Sequence, residues 1–397
     1  MKHILSSPAA VFYGRDLYSS RSLAISTENG KITSIREIPA DPSLPLVSPG
    51  WIDLQVNGCF GHDFNKAGVQ SSDISNAAAK LHSCGVTKFL PTIITNSPER
   101  MAAGMAAVHQ ACLENPITAA SVPGIHMEGP WISDQDGPRG AHELACVRDG
   151  SLSEFTALQQ AAGGKICKVT LAPERNGAID LIPQLTAQGV RVAIGHSNAS
   201  RSDILAAADA GASISTHLGN GSHPVLPRHQ NYIWEQLAED RLYAGLIADG
   251  HHLPPAVLTA MLRCKGEKAF VVSDCVSLAG LAPGEYSDEI GSSVILAENG
   301  RLYMKSTPDI LAGSSATLLQ NLEFLAGTLK MALKDAVTLV TRRPSEAMGW
   351  PDSGTLAVGK KADLTFFDFD FNTGKIQVRQ TVVAGVSVYR QDVCTPE

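Results

Sequence analysis

Between residues 50 and 274 the chain alternates between short β-rich apolar runs and alanine-rich stretches of helical character. The repeat is about 30 residues, the size of one βα unit. The apolar runs are Gly50 to Asn57, Gly85 to Thr95, Val122 to Glu128, Cys167 to Glu174, Arg191 to His196, Ala212 to His217, Leu242 to Asp249 and Ala269 to Asp274. Helical stretches such as Arg201 to Ala210 and Pro255 to Arg263 fill the gaps. Alternation on this scale implies a parallel sheet, and eight units imply a closed (β/α)8 barrel of the TIM type. The alternative is an open doubly wound sheet, but no glycine-rich dinucleotide fingerprint follows an early strand. With 397 residues the chain exceeds a barrel of ~250 residues, so something is added to it.

The additions are at the two ends. Leu23-Ala24-Ile25-Ser26 leads through Glu28-Asn29-Gly30-Lys31 into Ile32-Thr33-Ser34-Ile35, and Asn-Gly between apolar runs signals a hairpin. Near the other terminus, Ala362 to Phe367 reads as a strand and Gln380 to Tyr389 as two strands around Gly385. Neither end is long enough for a good core alone. Together they predict a small β-sandwich domain of residues 1–47 plus 350–397, flanking a catalytic barrel of residues 48–349.

Apolar residues make up 44% of the chain and charged residues 18%, enough for a large core. Net charge is −7 with no Lys/Arg cluster, which argues against nucleic acid or another polyanion as partner. The eight cysteines (Cys59, Cys84, Cys112, Cys146, Cys167, Cys264, Cys275, Cys394) form no CxxC pair, and free thiols in a reducing compartment are expected. Residues Met1 to Pro8 hold no signal-peptide core, and no apolar stretch is long enough to span a bilayer, so a soluble cytoplasmic protein is expected.

In a barrel of this kind, active sites lie where strands end and βα loops begin. The polar residues at those positions are Gln55 and Asn57, Glu128, His196, His217, Asp249 with His251 and His252, and Asp274. One carboxylate and two imidazoles, Glu128, His196 and His217, make a common catalytic zinc set with the fourth position left for water. Asp274, closing the Phe270-Val271-Val272-Ser273 run, adds a nearby carboxylate. A metal, a water and a carboxylate are the parts of a hydrolase. His3, His62, His82, His109 and His229 have no partner at a useful spacing and read as surface or packing residues.

The phrases Pro49-Gly50-Trp51-Ile52-Asp53-Leu54-Gln55-Val56-Asn57-Gly58, His126-Met127-Glu128-Gly129-Pro130, Gly195-His196-Ser197-Asn198-Ala199 and Thr216-His217-Leu218-Gly219-Asn220 occur in that order. Ile247-Ala248-Asp249-Gly250-His251-His252, Val272-Ser273-Asp274 and Ala312-Gly313-Ser314-Ser315 follow. In this set the chain resembles the N-acetylglucosamine-6-phosphate deacetylase family of the amidohydrolase superfamily, over nearly its whole length. The resemblance implies a metal-bearing barrel with a small β-sandwich from both termini, usually dimeric. It implies Glu128, His196 and His217 as ligands of a divalent metal, with Zn, Fe or Co all suited to such a site. It implies Asp274 as catalytic acid/base, and Ala141 and His142 as contacts to the substrate near its amide. Asn220, Gly221, His252, Leu311, Ala312 and Gly313 match further substrate-binding positions. Arg228 matches an arginine that grips the phosphate from the other subunit.

The sequence departs from the wider pattern in three places. Many superfamily members carry His-x-His after the first strand, whereas here it is Gln55-Val56-Asn57, and amides are poor ligands for a transition metal. A subset of the resembled family shares this form and works with one metal, so one metal per chain is expected. Gly221 stands where alanine is usual, and Ser222 to Arg228 is not the usual loop. The expectation is hydrolysis of the N-acetyl group of N-acetylglucosamine 6-phosphate. The alternatives are a different or unphosphorylated acetamido sugar such as N-acetylgalactosamine 6-phosphate, another N-acyl substrate, and a sugar-phosphate-binding protein without catalysis.

Overall fold

The computed structural model describes residues 7–287 and 293–391. His3, Cys394 and the outermost parts of both terminal segments lie outside the described residues. Eight parallel strands form the centre: β1 (Trp51–Val56), β2 (Val86–Ile94), β3 (Ile125–Glu128), β4 (Ile166–Leu171), β5 (Arg191–Ile194), β6 (Ile214–Ser215), β7 (Tyr243–Ile247) and β8 (Ala269–Val272). They pair in chain order. β8 meets β1 again through a bridge between Val56 and Cys275, and Asp274 N–H donates to Gln55 O at 3.0 Å. The predicted TIM-type barrel is therefore present.

Local signals explain why the chain turns where it does. The helix Arg201–Ala210 starts at a capping box, where Ser200 accepts from the Asp203 N–H and the Asp203 carboxylate accepts from Ser200 N–H. It stops at Gly211, whose φ of 115° suits a residue without a side chain. Ile52, Leu54, Leu90, Ala193, Ile214, Ile247, Phe270 and Val272 fill the barrel, and Ala347 and Met348 from the helix Arg342–Met348 close its N-terminal end. The opposite end, where strands finish, is left to polar groups.

Strands from both chain ends share one seven-stranded sheet, whose order is Val386–Arg390, Ile376–Val383, Leu364–Phe369, Leu46–Pro49, Ala10–Asp16, Ser22–Glu28, Lys31–Glu37. Asn29 and Gly30 take φ of 51° and 75°, as a tight hairpin with the right-handed strand twist requires. Ala384 and Gly385 do the same at the other end, with φ of 47° and 78°. A buried ion pair between Lys88 of β2 and Asp363 joins the barrel to this sheet.

One element has no counterpart in the sequence reading. Gly284–Ser287, Ser293–Leu296, Leu302–Met304 and Thr307–Leu311 form a four-stranded antiparallel sheet between β8 and the helix Leu318–Glu323. Val294, Leu296 and Leu302 pack it on Val276, Leu278 and Leu281, beside the barrel mouth. Among the described residues no helix is long and apolar enough to cross a membrane.

Candidate metal centre and active site

Glu128 is the last residue of β3, while His196 and His217 stand two residues past the ends of β5 and β6. All three are buried, and one ligand atom from each lies within 4.8 Å of the others. His217 Nε2 is 3.0 Å from Glu128 Oε1 and 3.0 Å from His196 Nε2, and His196 Nε2 is 3.3 Å from Glu128 Oε1. Three donors about 2.1 Å from a tetrahedral ion would stand about 3.4 Å apart. Two imidazole nitrogens this close share at most one proton, so their lone pairs face a common point. The donor set fits a divalent cation.

Burial alone would raise the Glu128 carboxyl, but hydrogen bonds from His196 and His217 outweigh it and hold Glu128 well below its ordinary range. His196 Nδ1–H donates to Pro138 O at 2.9 Å, which turns Nε2 inward. His217 Nδ1 is buried with no hydrogen-bond partner among the described residues. Beneath Glu128 a polar ring supports the floor of the site. His126 Nε2 meets Thr170 Oγ1 at 2.7 Å, and Thr170 Oγ1 meets Thr216 Oγ1 at 2.7 Å. The sequence reading assigned no role to this ring.

Asp274 faces the cluster from β8. Its Oδ1 accepts from Asn57 Nδ2 at 2.8 Å and from Gln55 Nε2 at 3.0 Å. Gln55 Nε2 also donates to Glu128 Oε1 at 2.9 Å, so one amide spans both carboxylates. Burial pushes the Asp274 carboxyl up, with the Glu128 charge adding to it and His217 and His252 pulling the other way. A carboxyl raised in this manner can both accept and return a proton.

His196, His217 and Asp274 have φ of 50°, 28° and 50°, in the left-handed region that residues with side chains rarely adopt. Such a backbone costs about 1–3 kcal/mol per residue and persists where the surroundings over-determine it. Each strand end is bent to carry its side chain inward over the barrel axis rather than outward into the following loop.

His142 joins from the loop after β3, with Nε2 3.2 Å from His196 Nε2. Burial lowers its pKa to about 3, with the neighbouring His196 adding to the effect, so the ring is neutral. Two glycines let the loops close on His196. A Cβ on Gly140 would lie 3.2 Å from His196 Cε1, and one on Gly221 2.7 Å from His196 Nδ1. Gly221 has φ of 56° as well, so the alanine usual at this position would strain this loop.

The remaining predicted positions vary in how closely they approach. Asn220 is half-buried beside Gly221, its Nδ2 donating to His217 O at 3.2 Å. His252 is half-buried and paired with Asp249. Leu311 ends its strand rather than lying in a loop, and Ala312 and Gly313 follow it. Ser314 then bridges to Cys275, next to Asp274. Ala141 is exposed beside the buried His142. Arg228 is exposed, and among the described residues only its backbone oxygen is engaged, by Trp234 Nε1 at 3.3 Å. His62, placed among the unpartnered histidines by the sequence reading, in fact meets Asp73 at 3.3 Å, and His82 meets Ser121 Oγ at 2.8 Å.

The chain belongs to the amidohydrolase family, which it matches over residues 46–388, and like its relatives it is a hydrolase acting on an amide carbon–nitrogen bond. More particularly, it is 32% identical over 365 residues to N-acetylglucosamine-6-phosphate deacetylase of Homo sapiens, covering 87% of this chain and 84% of the relative. It is 34% identical over 324 residues to N-acetylgalactosamine-6-phosphate deacetylase of Shewanella sp. (strain ANA-3), covering 81% and 79%. A solved N-acetyl-D-glucosamine-6-phosphate deacetylase from Mycobacterium smegmatis, in complex with N-acetyl-D-glucosamine-6-phosphate, superposes with a TM-score of 0.83 at 27% identity, covering 96% of this chain and 100% of the other.

Proposed function

We propose that this chain hydrolyses the N-acetyl group of N-acetylglucosamine 6-phosphate, giving acetate and glucosamine 6-phosphate. The observation that carries the reading is the convergence of Glu128, His196 and His217 opposite Asp274, in a chain similar throughout to deacetylases of this sugar. Glu128, His196 and His217 would hold one divalent ion, zinc by preference with iron or cobalt as alternatives, which when bound lowers the pKa of a coordinated water toward ~7. Asp274 takes a proton from the attacking water through the carboxylate oxygen that the amides leave free. It then returns that proton to the departing amine, which is otherwise a poor leaving group. Neutral His142 donates from Nε2–H to the oxygen that gains charge as the carbonyl becomes tetrahedral. Its Nδ1, buried and without a partner among the described residues, fits that tautomer.

Asn220, Gly221, His252 and the segment Leu311–Gly313 would bind the sugar, with Ala141 beside His142. Arg228 would grip the phosphate of a second subunit's substrate. Its guanidinium meets no group of its own chain among the described residues, in keeping with a homodimer; a cytoplasmic location belongs to the same reading. The two-part division into residues 48–349 and 1–47 with 350–397 belongs to the same reading. A second reading rests on the N-acetylgalactosamine-6-phosphate deacetylase relative, which matches at slightly higher identity. Acetate release by metal-loaded protein from the two phosphorylated sugars and from unphosphorylated N-acetylglucosamine separates these. Preference for the galactosamine compound selects the second reading, and no preference for phosphate removes the 6-phosphate assignment. Elemental analysis of the active protein should approach one metal per chain.

A further inference from the structure

Glu174 closes the fourth apolar run of the sequence, yet it takes no part in the site assembled above. It stands three residues beyond β4, half-buried, and reaches sideways to the end of β5. Its Oε2 accepts the Ser197 hydroxyl at 2.7 Å, and its Oε1 accepts the Asn198 N–H at 2.5 Å. These are the two residues that follow His196. The Ser197 oxygen also accepts the Ala199 N–H at 3.0 Å, so one carboxylate and one hydroxyl organise the whole turn after His196.

That turn begins in strained backbone. Gly195 N–H still donates to Leu171 O at 3.2 Å, and a Cβ on Gly195 would lie 2.8 Å from both Thr170 and Thr216, so the chain there is wedged between neighbouring strands. One residue later, at His196, φ is 50°. A residue with a side chain stays in that region only where contacts on both flanks hold it. On one flank the loop after β3 supplies Ser133 N–H to His196 O at 2.8 Å and Pro138 O to His196 Nδ1. On the other flank stands Glu174. Its neighbour Arg175 ties the same β3 loop, with Nη1 donating to Asp134 at 2.9 Å and Nη2 2.7 Å from Asp149. Glu174 and Arg175 together thus fasten the β5 turn and the β3 loop that enclose His196.

We propose that Glu174 is a positioning residue of the metal centre: by gripping Ser197 and Asn198 it holds His196 in its left-handed conformation, with Nε2 aimed toward Glu128 and His217. The proposal rests on the reading of Glu128, His196 and His217 as metal ligands. A ligand set in place beforehand needs no rearrangement when the ion binds, so the grip is expressed in metal affinity.

The test is zinc affinity, measured by competition with a chromophoric chelator, in wild type, Glu174→Ala, Glu174→Gln and Ser197→Ala. Glu174→Ala drops both contacts and should raise the zinc Kd about ten- to a hundredfold. In Glu174→Gln the amide oxygen can take the Asn198 N–H while the amide NH₂ donates to Ser197 Oγ, so its Kd should stay within about threefold of wild type. Ser197→Ala loses one contact and should fall between the two. The visible absorption of cobalt-loaded protein, which reports ligand geometry, should change in Glu174→Ala and return in Glu174→Gln. An unchanged Kd in Glu174→Ala overturns the proposal, even where the metal-free variant melts at a lower temperature, because Glu174 would then only stabilise its loop. Equal weakening in Glu174→Gln overturns it as well, since the charge of the carboxylate rather than its grip would be responsible. If Glu174→Ala fails to fold, Ser197→Ala must still weaken zinc binding, and an unchanged Kd there overturns the proposal. Failure of wild type to bind zinc or cobalt is a separate result, which sinks the metal reading and this proposal with it.

Discussion

The two sides of the barrel mouth are built from different chemistry. On one side, the ends of β3, β5 and β6 present Glu128, His196 and His217, whose ligand atoms stand 3.0–3.3 Å apart. On the other, the ends of β1 and β8 present Gln55, Asn57 and Asp274, where two neutral amides hold a single carboxylate. The first side concentrates lone pairs and so suits a cation. The second satisfies one carboxylate oxygen twice and leaves the other free, which suits a proton carrier. Imidazoles in place of Gln55 and Asn57 would have made both sides metal-binding. The contrast shows how two residues decide whether a strand end serves as ligand or as holder of a base.

Removing the cation should produce the largest effect. Chelator-treated protein should release acetate only at background rate, with activity restored by a divalent salt. Glu128→Gln, which removes the only anionic ligand, should retain little metal through gel filtration. Full activity of metal-free protein would dissolve the contrast. Asp274→Asn comes next. A general acid–base group typically contributes ~10²–10⁴-fold, so kcat should fall by at least that order while metal content holds. A variant keeping most of its turnover would move the proton carrier elsewhere, with His142 the next suspect. Gln55→Leu removes the side chain that hydrogen-bonds to both sides. Loss of hydrogen bonds to charged groups should lower kcat by roughly ten- to a hundredfold. An effect confined to metal affinity would instead assign Gln55 to the Glu128 side alone. The smallest effect is expected of Arg228→Ala, which should raise KM for the phosphorylated sugar several-fold more than for the unphosphorylated one. Equal changes for both sugars would make Arg228 a solvated loop residue.

The barrel was legible because each apolar run ends in a polar residue and each gap carries its own helix signals, as with Ser200, Asp203 and Gly211. The terminal sheet announced itself through the Asn29-Gly30 turn, whose conformation follows from the residue types alone. Glu128, His196, His217 and Asp274 were found because they sit at strand ends, although the positive φ that aims three of them is invisible in residue type. The antiparallel sheet within 284–311 was missed because its strands of three to five residues are too short to set a period. The Thr170–His126–Thr216 ring was missed for another reason. Its members are far apart in the chain and meet only because parallel strands bring alternate side chains into one layer. The space around Arg228 is equally unreadable, since its loop lies at the surface and a side chain aimed at solvent leaves no mark on its neighbours.

The shared sheet of the two chain ends also bears on how the polypeptide is made. Leu46–Pro49 lies mid-sheet, paired with Leu364–Phe369, which follows some three hundred residues later. At ~5–20 residues per second, a ribosome reaches that partner roughly 15–60 s after the first strands emerge. Throughout that time the edge of Leu46–Pro49 is an open template for pairing with another nascent chain. Truncation before residue 364 should therefore yield aggregation-prone chains rather than a working barrel with a missing appendage.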